Sequence, residues 1–137
     1  LIVIFCAVGR FFINLYTFKK EQIIDYRITI SYMPMMWKTL ITDYNPPHYF
    51  IDKQISGPYS SWIHSHHFDY KNGFTIVTDK VTYKPPLYFI GAIANKIYIR
   101  SMLYKIFEYR FYKIAEIFKK KYPDITIQDQ NPLIDIV

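Results

Sequence analysis

The 137 residues suffice for one domain with its own core, and a composition that is 51% hydrophobic and 20% aromatic excludes a disordered or fibrous chain. The net charge of +6 comes from 17 basic and 11 acidic residues that are dispersed, apart from the run at 119–121. Because no phosphate-binding loop, zinc-finger spacing or basic-aromatic motif accompanies this charge, we expect no nucleic-acid partner. The single cysteine, Cys6, excludes an internal disulfide framework, so we expect a cytoplasmic protein.

Residues 1–21 form an apolar N-terminal segment. Arg10 and Asn14 interrupt its apolar run, and no small-residue cleavage site follows. We therefore expect a buried strand, with Leu1 to Val8 as the candidate, rather than a stable membrane anchor. The sequence begins with Leu rather than Met, so we expect this segment to be truncated.

Residues 22–122 carry the pattern of a single α+β domain. Ile24, Tyr26 and Ile28 alternate with polar residues, which predicts a half-buried strand. Turn residues then separate further strands, with a turn expected near Met33 and Pro34. The predicted strands are 22–30, 35–44, 49–55, 60–70 and 74–83. Connections this short require antiparallel neighbours, so we expect an antiparallel sheet of five to six strands.

A helical period follows Pro85 and Pro86 and predicts one long helix from about Tyr88 to Lys120, ended by Pro123. Its apolar stripe consists of Leu103, Ile106, Phe107, Ile114, Ile117 and Phe118. A sheet and a single helix each bury one face, so the two must pack together. The tail, residues 123–137, shows no usable pattern and stays unassigned.

Aromatic and ionisable side chains are concentrated on the fourth predicted strand. Trp62, His64, His66 and Phe68 are spaced by two and therefore share one face. A two-residue loop at Asn72-Gly73 sets the register of the hairpin. The predicted pairs are Lys71 with Phe74, Phe68 with Val77, His66 with Asp79, His64 with Val81, and Trp62 with Tyr83. Asp52 and Gln54 join this face if the turn at 56–58 keeps the parity.

Three interpretations of this cluster remain open. His and Asp side chains satisfy each other under the helix, or they orient a mostly apolar ligand together with Gln54. Alternatively His66, tuned by Asp79, acts as a general base, or the His-x-His pair and a carboxylate hold a metal. His-x-His spacing alone is a weak signal, so we assign no metal ligand and no cofactor. The predicted ligand-binding residues are Trp37, Gln54, Trp62, His64, His66, Phe68, Asp79, Val81, Tyr83, Ile97 and Phe107.

An ordered set of motifs covers about residues 18–118. It consists of Ile24-Asp25-Tyr26-Arg27, Trp37-Lys38-Thr39, Asn45-Pro46-Pro47, Phe50-Ile51-Asp52-Lys53-Gln54, Gly57-Pro58-Tyr59, Trp62, His64, His66, Phe68, Thr78-Asp79, Val81, Tyr83, Gly91, Ala94-Asn95 and Tyr109-Arg110. In this order the motifs resemble the bacterial SRPBCC proteins of the polyketide cyclase and lipid-transport superfamily. The resemblance implies a helix-grip fold, as in START-domain lipid carriers and the birch-pollen allergen, with a hydrophobic cavity between sheet and helix.

The family normally begins with an edge strand and two short helices that cap the cavity. The residues before Gln22 are too few for these, so we expect a more open groove and an apolar surface that favours homo-oligomers. The leading hypothesis is binding or transport of a hydrophobic or aromatic small molecule without catalysis. One alternative is a polyketide cyclase or dehydratase-like enzyme that uses His66 and Asp79. Another is a degenerate fragment that acts only through protein interaction or is inactive.

Overall fold

The computed structural model describes residues 19–30, 33–86, 98–128 and 133–136. Their elements are β1 (Ile23–Ile30), β2 (Met33–Asn45), β3 (Tyr49–Ser56), β4 (Ser61–Lys71), β5 (Phe74–Lys84), α1 (Arg100–Lys121) and β6 (Leu133–Ile136). Strands β1 to β5 form an antiparallel meander in which each strand pairs with the next along the chain. This sheet, followed by one C-terminal helix, confirms the α+β fold class and fits the helix-grip description.

The sixth strand comes from the tail. β6 pairs with β5 in parallel, from Lys80 opposite Leu133 to Tyr83 opposite Ile136. Its orientation differs from the fully antiparallel sheet that we predicted. Parallel neighbours need a long crossover connection, and the segment that contains α1 supplies it. Four residues are too few for a reliable period, which is why the sequence pattern did not indicate this strand. The N-terminal candidate strand at 1–8 lies outside the described residues.

The connection between β1 and β2 differs from the predicted turn near Met33 and Pro34. Both residues already belong to β2, where they pair with Ile30 and Thr29. The proline is tolerated because β3 pairs with β2 only from Lys38 onward, so among the described residues Pro34 has β1 alone as a neighbouring strand.

The C-terminal end of α1 lies close to the predicted position. The helix ends at Lys121, two residues before Pro123, and its last turn carries three lysines whose charge complements the helix dipole. The predicted start near Tyr88 lies outside the described residues. Within the part of the chain that the structure describes, no helix has both the length and the apolar character that crossing a membrane requires.

The β4–β5 hairpin has the predicted register. Asn72 and Gly73 both have positive φ angles, 54° and 82°, as a tight two-residue hairpin turn requires. Lys71 pairs with Phe74, and the remaining pairs follow without a shift as far as Ser61 and Lys84. Trp62, His64 and His66 of β4 are therefore buried, whereas Ile63 and His67 on the opposite face of the strand are exposed.

The core lies between the inner face of the sheet and α1. Leu103 and Phe107 of the helix pack against large side chains of the sheet. The buried residues of this core are Ile28, Trp37, Tyr59, Trp62, Val81, Tyr83, Leu103 and Phe107. Ile41 and Phe50 form a smaller second core with Phe68 packed at its side. The sheet therefore holds the helix mainly through aromatic rings.

Truncation of Leu103 tests the packing of α1 on the sheet. Leu103 is 2% exposed, so Leu103→Ala should lower the free energy of unfolding by about 3 kcal/mol through lost burial and a residual cavity. Urea unfolding followed by circular dichroism measures the change. The control Lys105→Ala removes an exposed side chain of the same helix and should cost at most about 0.5 kcal/mol. Equal losses in the two variants would contradict the packing of α1 on the sheet.

Candidate functional site

Five ionisable side chains meet beneath α1, and we call them the ionic cluster. Asp52 comes from β3, His64 and His66 from β4, Asp79 from β5 and Arg110 from α1. Strand pairing places Asp52 opposite His64, and His66 opposite Asp79. Asp79 is partly buried and the other four are buried. Three neighbouring strands and the helix thus each contribute to one desolvated polar site.

Each imidazole of the ionic cluster lies between the two carboxylates. His66 Nε2 donates a hydrogen bond to Asp52 Oδ2 at 3.1 Å, and His66 Nδ1 is 2.6 Å from Asp79 Oδ1. His64 has the same arrangement at longer range, with Nδ1 3.9 Å from Asp52 Oδ2 and Nε2 3.4 Å from Asp79 Oδ1. A guanidinium nitrogen of Arg110 is 3.7 Å from Asp79 Oδ2. Asp79 therefore contacts three cationic or potentially cationic groups.

The protonation states of the ionic cluster differ between its two histidines. Burial and the charge of His66 lower the pKa of His64 to about 4, so this imidazole is neutral at pH 7. Burial also opposes the charge on His66, but Asp79 and Asp52 outweigh it and raise the pKa of His66. For Asp79 burial is likewise outweighed, because His66 and Arg110 hold the pKa of this carboxyl well below its usual value. The site therefore favours the neutral form of His64 and the protonated form of His66.

Aromatic rings enclose the ionic cluster. The ring of Phe50 stacks on His66 with centroids 4.1 Å apart, and Phe107 meets His64 edge to face at 5.5 Å. The guanidinium of Arg110 lies 4.8 Å from the centre of the same Phe107 ring, a cation–π contact. These rings limit the orientations of both imidazoles and keep the charged groups in a largely apolar setting.

A second set of rings, which we call the aromatic group, continues the inner face away from the histidines. It consists of Trp37, Tyr59, Trp62 and Tyr83, with neighbouring centroids between 4.9 and 6.1 Å apart. Trp62 also meets His64 at 6.4 Å, so the aromatic group and the ionic cluster adjoin each other.

Gln54 lies at the side of the aromatic group, next to the β3–β4 turn. Its Nε2 donates to the backbone oxygen of Tyr59 at 2.6 Å. A Cβ at Gly57 would lie 2.6 Å from Gln54 Oε1, so the turn passes close to this side chain. Gln54 thus stabilises the turn that connects β3 to β4.

The predicted site residues do not all lie together. Trp37, Gln54, Trp62, Tyr83 and Phe107 line or adjoin the aromatic group and the ionic cluster, and Val81 is fully buried beside them. His64, His66 and Asp79 belong to the ionic cluster itself. Phe68 packs instead with Phe50 in the smaller core, and Ile97 lies outside the described residues. A ligand-binding role for each of these residues stays a prediction.

Arg110 and Tyr59 were absent from the predicted set. Arg110 lies three residues after Phe107, a spacing that places both on one helix face. This spacing could have indicated that Arg110 belongs to the site. Asp52 shares the inner face, as its parity suggested, but its contacts with both histidines required the structure.

No family model, no curated protein and no solved structure matches this chain. Function is therefore inferred from the geometry of the ionic cluster and the aromatic group, together with the sequence resemblance.

The free energy of unfolding in metal-free buffer should be greatest near pH 6.5 and fall on both sides. The pKa of His64 is about 4 when folded and 6.5 ordinarily, so the unfolded chain binds more protons between these values and stability falls as the pH drops. The folded pKa of His66 is raised, so its contribution is complete below pH 6.5 and is lost as the pH rises through the raised value. Urea unfolding across a pH series measures both limbs.

Single variants separate the two limbs of this profile. His64→Gln should flatten the profile between about pH 4 and 6.5 but leave the fall at lower pH that Asp79 causes, and His66→Gln should flatten the alkaline limb. His67→Gln changes an exposed histidine on the same strand and should leave both limbs in place. An unchanged profile in both cluster variants would refute the assigned protonation states.

Proposed function

We propose that this chain binds a hydrophobic or aromatic small molecule between its sheet and α1, without catalysis. One observation carries the proposal: buried polar atoms without aligned hydrogen-bond partners lie on the inner surfaces of both layers. The clearest are Trp37 Nε1, Gln54 Oε1 and Arg110 Nε, whereas His64 Nε2 and Asp79 Oδ1 also lack an aligned hydrogen bond but lie 3.4 Å from each other. A buried polar group without a partner costs about 1–3 kcal/mol, so a ligand that supplies the missing partners gains affinity.

The positions of these atoms indicate what a ligand should look like. A continuous series of ring contacts leads from Trp37 through Trp62 and His64 to Phe107, and Arg110 lies over the last ring. The two N–H donors, Trp37 Nε1 and Arg110 Nε, stand at the ends of this series. A flat, largely apolar molecule with oxygen acceptors, such as phenols or ring carbonyls, matches this pattern.

The resemblance to SRPBCC proteins supports the same proposal. That family places a hydrophobic cavity between a curved antiparallel sheet and its C-terminal helix, which is where the aromatic group and the ionic cluster lie. Membership of this family and a cytoplasmic location are parts of the proposal.

The enzymatic alternative has one observation in its favour, the 2.6 Å contact between His66 Nδ1 and Asp79 Oδ1. A general base must accept a proton, however, and His66 is flanked by two carboxylates that stabilise its protonated form. Of the two imidazoles, His64 has the lowered pKa and an available lone pair. The assignment of His66 as the base and Asp79 as its partner in a cyclase or dehydratase stays a prediction.

A ligand screen tests the binding proposal. Purified chain is melted in the presence of fatty acids, sterols, flavonoids and aromatic polyketides. Flavonoids or aromatic polyketides should raise the melting temperature, since binding to the folded state alone contributes about 2.7 kcal/mol at a ligand concentration of 100 times Kd. A cooperative melt that no compound shifts would contradict the proposal, and the absence of a cooperative melt would favour the degenerate alternative.

Matched variants locate the bound ligand. Trp37→Phe keeps an aromatic ring and removes the unpartnered Nε1 donor, so Kd measured by calorimetry should rise about tenfold, the loss of one good hydrogen bond. Tyr109→Phe removes a polar atom from an exposed ring of α1 and should leave Kd unchanged. Equal affinity in wild type and Trp37→Phe would place the ligand elsewhere.

A further inference from the structure

We infer that Asp52, His64 and His66 form a binding site for a divalent transition-metal ion, with Zn²⁺ as the best match. Each residue offers one potential ligand atom, and these three atoms all lie within 4.8 Å of one another. All three residues are buried on the inner face of the sheet. The inference does not depend on the proposed organic ligand, because its three coordinating atoms are not among the unpartnered atoms of that proposal and a different measurement tests it.

The distances suit a shared ion. Asp52 Oδ2 is 3.1 Å from His66 Nε2 and 3.9 Å from His64 Nδ1. Ligand atoms about 2.0–2.1 Å from a tetrahedral ion lie roughly 3.4 Å from each other. All three atoms lie within 4.8 Å of one another, so displacements on the order of 1 Å, within the reach of side-chain torsions, would bring them to coordinating positions.

The other nitrogen of each imidazole gives the strongest support. His64 Nε2 and His66 Nδ1 both face Asp79 Oδ1, at 3.4 and 2.6 Å. Histidines that bind metals generally direct their second ring nitrogen to a carboxylate or carbonyl, which fixes the ring and its tautomer. Asp79 occupies this outer position for both rings, and Arg110 in turn lies 3.7 Å from its second oxygen. Both rings thus present one nitrogen to Asp52 and the other to Asp79.

The donor set selects the kind of ion. Two imidazole nitrogens and one carboxylate oxygen favour Zn²⁺ and similar transition metals over Ca²⁺ or Mg²⁺, which prefer oxygen ligands only. A metal-bound imidazole nitrogen carries no proton, so binding of the ion would replace the hydrogen bond from His66 Nε2 to Asp52 Oδ2. Three protein ligands leave a fourth position open for water or for an oxygen atom of a bound molecule.

Metal titration of chelator-treated protein tests this inference. Calorimetric titration with Zn²⁺ should give a stoichiometry of one ion per chain. Co²⁺, used as a spectroscopic substitute, should develop the intense visible bands of a four-coordinate ion, and Zn²⁺ should abolish them. A wild-type chain that binds neither ion, or binds them only with the weak bands of a hydrated ion, would overturn the inference.

Variants assign the ligands. Asp52→Asn and His64→Gln should each reduce Zn²⁺ affinity at least about 100-fold, and Asp79→Asn should reduce it about 10- to 100-fold through the lost outer contact. The control His67→Gln, exposed on the opposite face of β4, should bind as wild type does. Unchanged affinity in Asp52→Asn, or an equal loss in His67→Gln, would refute the site.

Two further measurements keep the outcome decisive. Asp52→Asn is nearly isosteric, so it retains packing and decides the question if a histidine variant does not fold, as judged by its melting curve. Trp37→Phe removes a donor of the proposed ligand site and should leave Zn²⁺ binding intact. If the chain binds Zn²⁺ but no organic compound raises its melting temperature, the binding proposal fails and this inference stands.

Discussion

The register of the β4–β5 hairpin determines which side chains meet beneath α1. Side chains alternate between the two faces of a strand, so a slip by one residue would move Trp62, His64 and His66 to solvent and bring Ile63 and His67 inside. The turn at Asn72-Gly73 opposes such a slip, because both residues have positive φ angles that suit a two-residue hairpin loop. The core, the ionic cluster and both proposals depend on this one local constraint.

Burial of five ionisable groups is tolerated because each has partners of suitable charge. Removing a charge from water costs several kcal/mol, and one unpaired buried ion would destabilise the fold. Here Asp79 lies beside His66 and Arg110, Asp52 lies beside His66, and His64 remains neutral. Such an arrangement contributes little net stability compared with an apolar core. Both proposals rest on this group of buried polar side chains among aromatic rings.

The two proposals assign different atoms of one region. The first proposal uses Trp37 Nε1 and Arg110 Nε, which lack hydrogen-bond partners, whereas the second uses Asp52 Oδ2 and one nitrogen of each histidine, which lie within 4.8 Å of one another. Asp79 connects them, because its contacts orient both imidazoles and also engage the guanidinium. An oxygen atom of a bound molecule could complete the coordination of the ion, which would make the two functions cooperative.

Local patterns were sufficient to predict the meander, the His66–Asp79 pair and the end of α1, because alternation, turn residues and helix-ending prolines act over a few residues. Contacts between distant segments could not be obtained in this way. The approach of Arg110 to Asp79, the position of Asp52 between two imidazoles and the parallel pairing of β6 depend on how helix and tail return to the sheet. The opposite pKa shifts of His64 and His66 also arise only there, since neighbouring charges and burial are properties of the folded chain. The sequence by itself therefore determined the sheet face and its register, and the tertiary structure decided what chemistry that face can support.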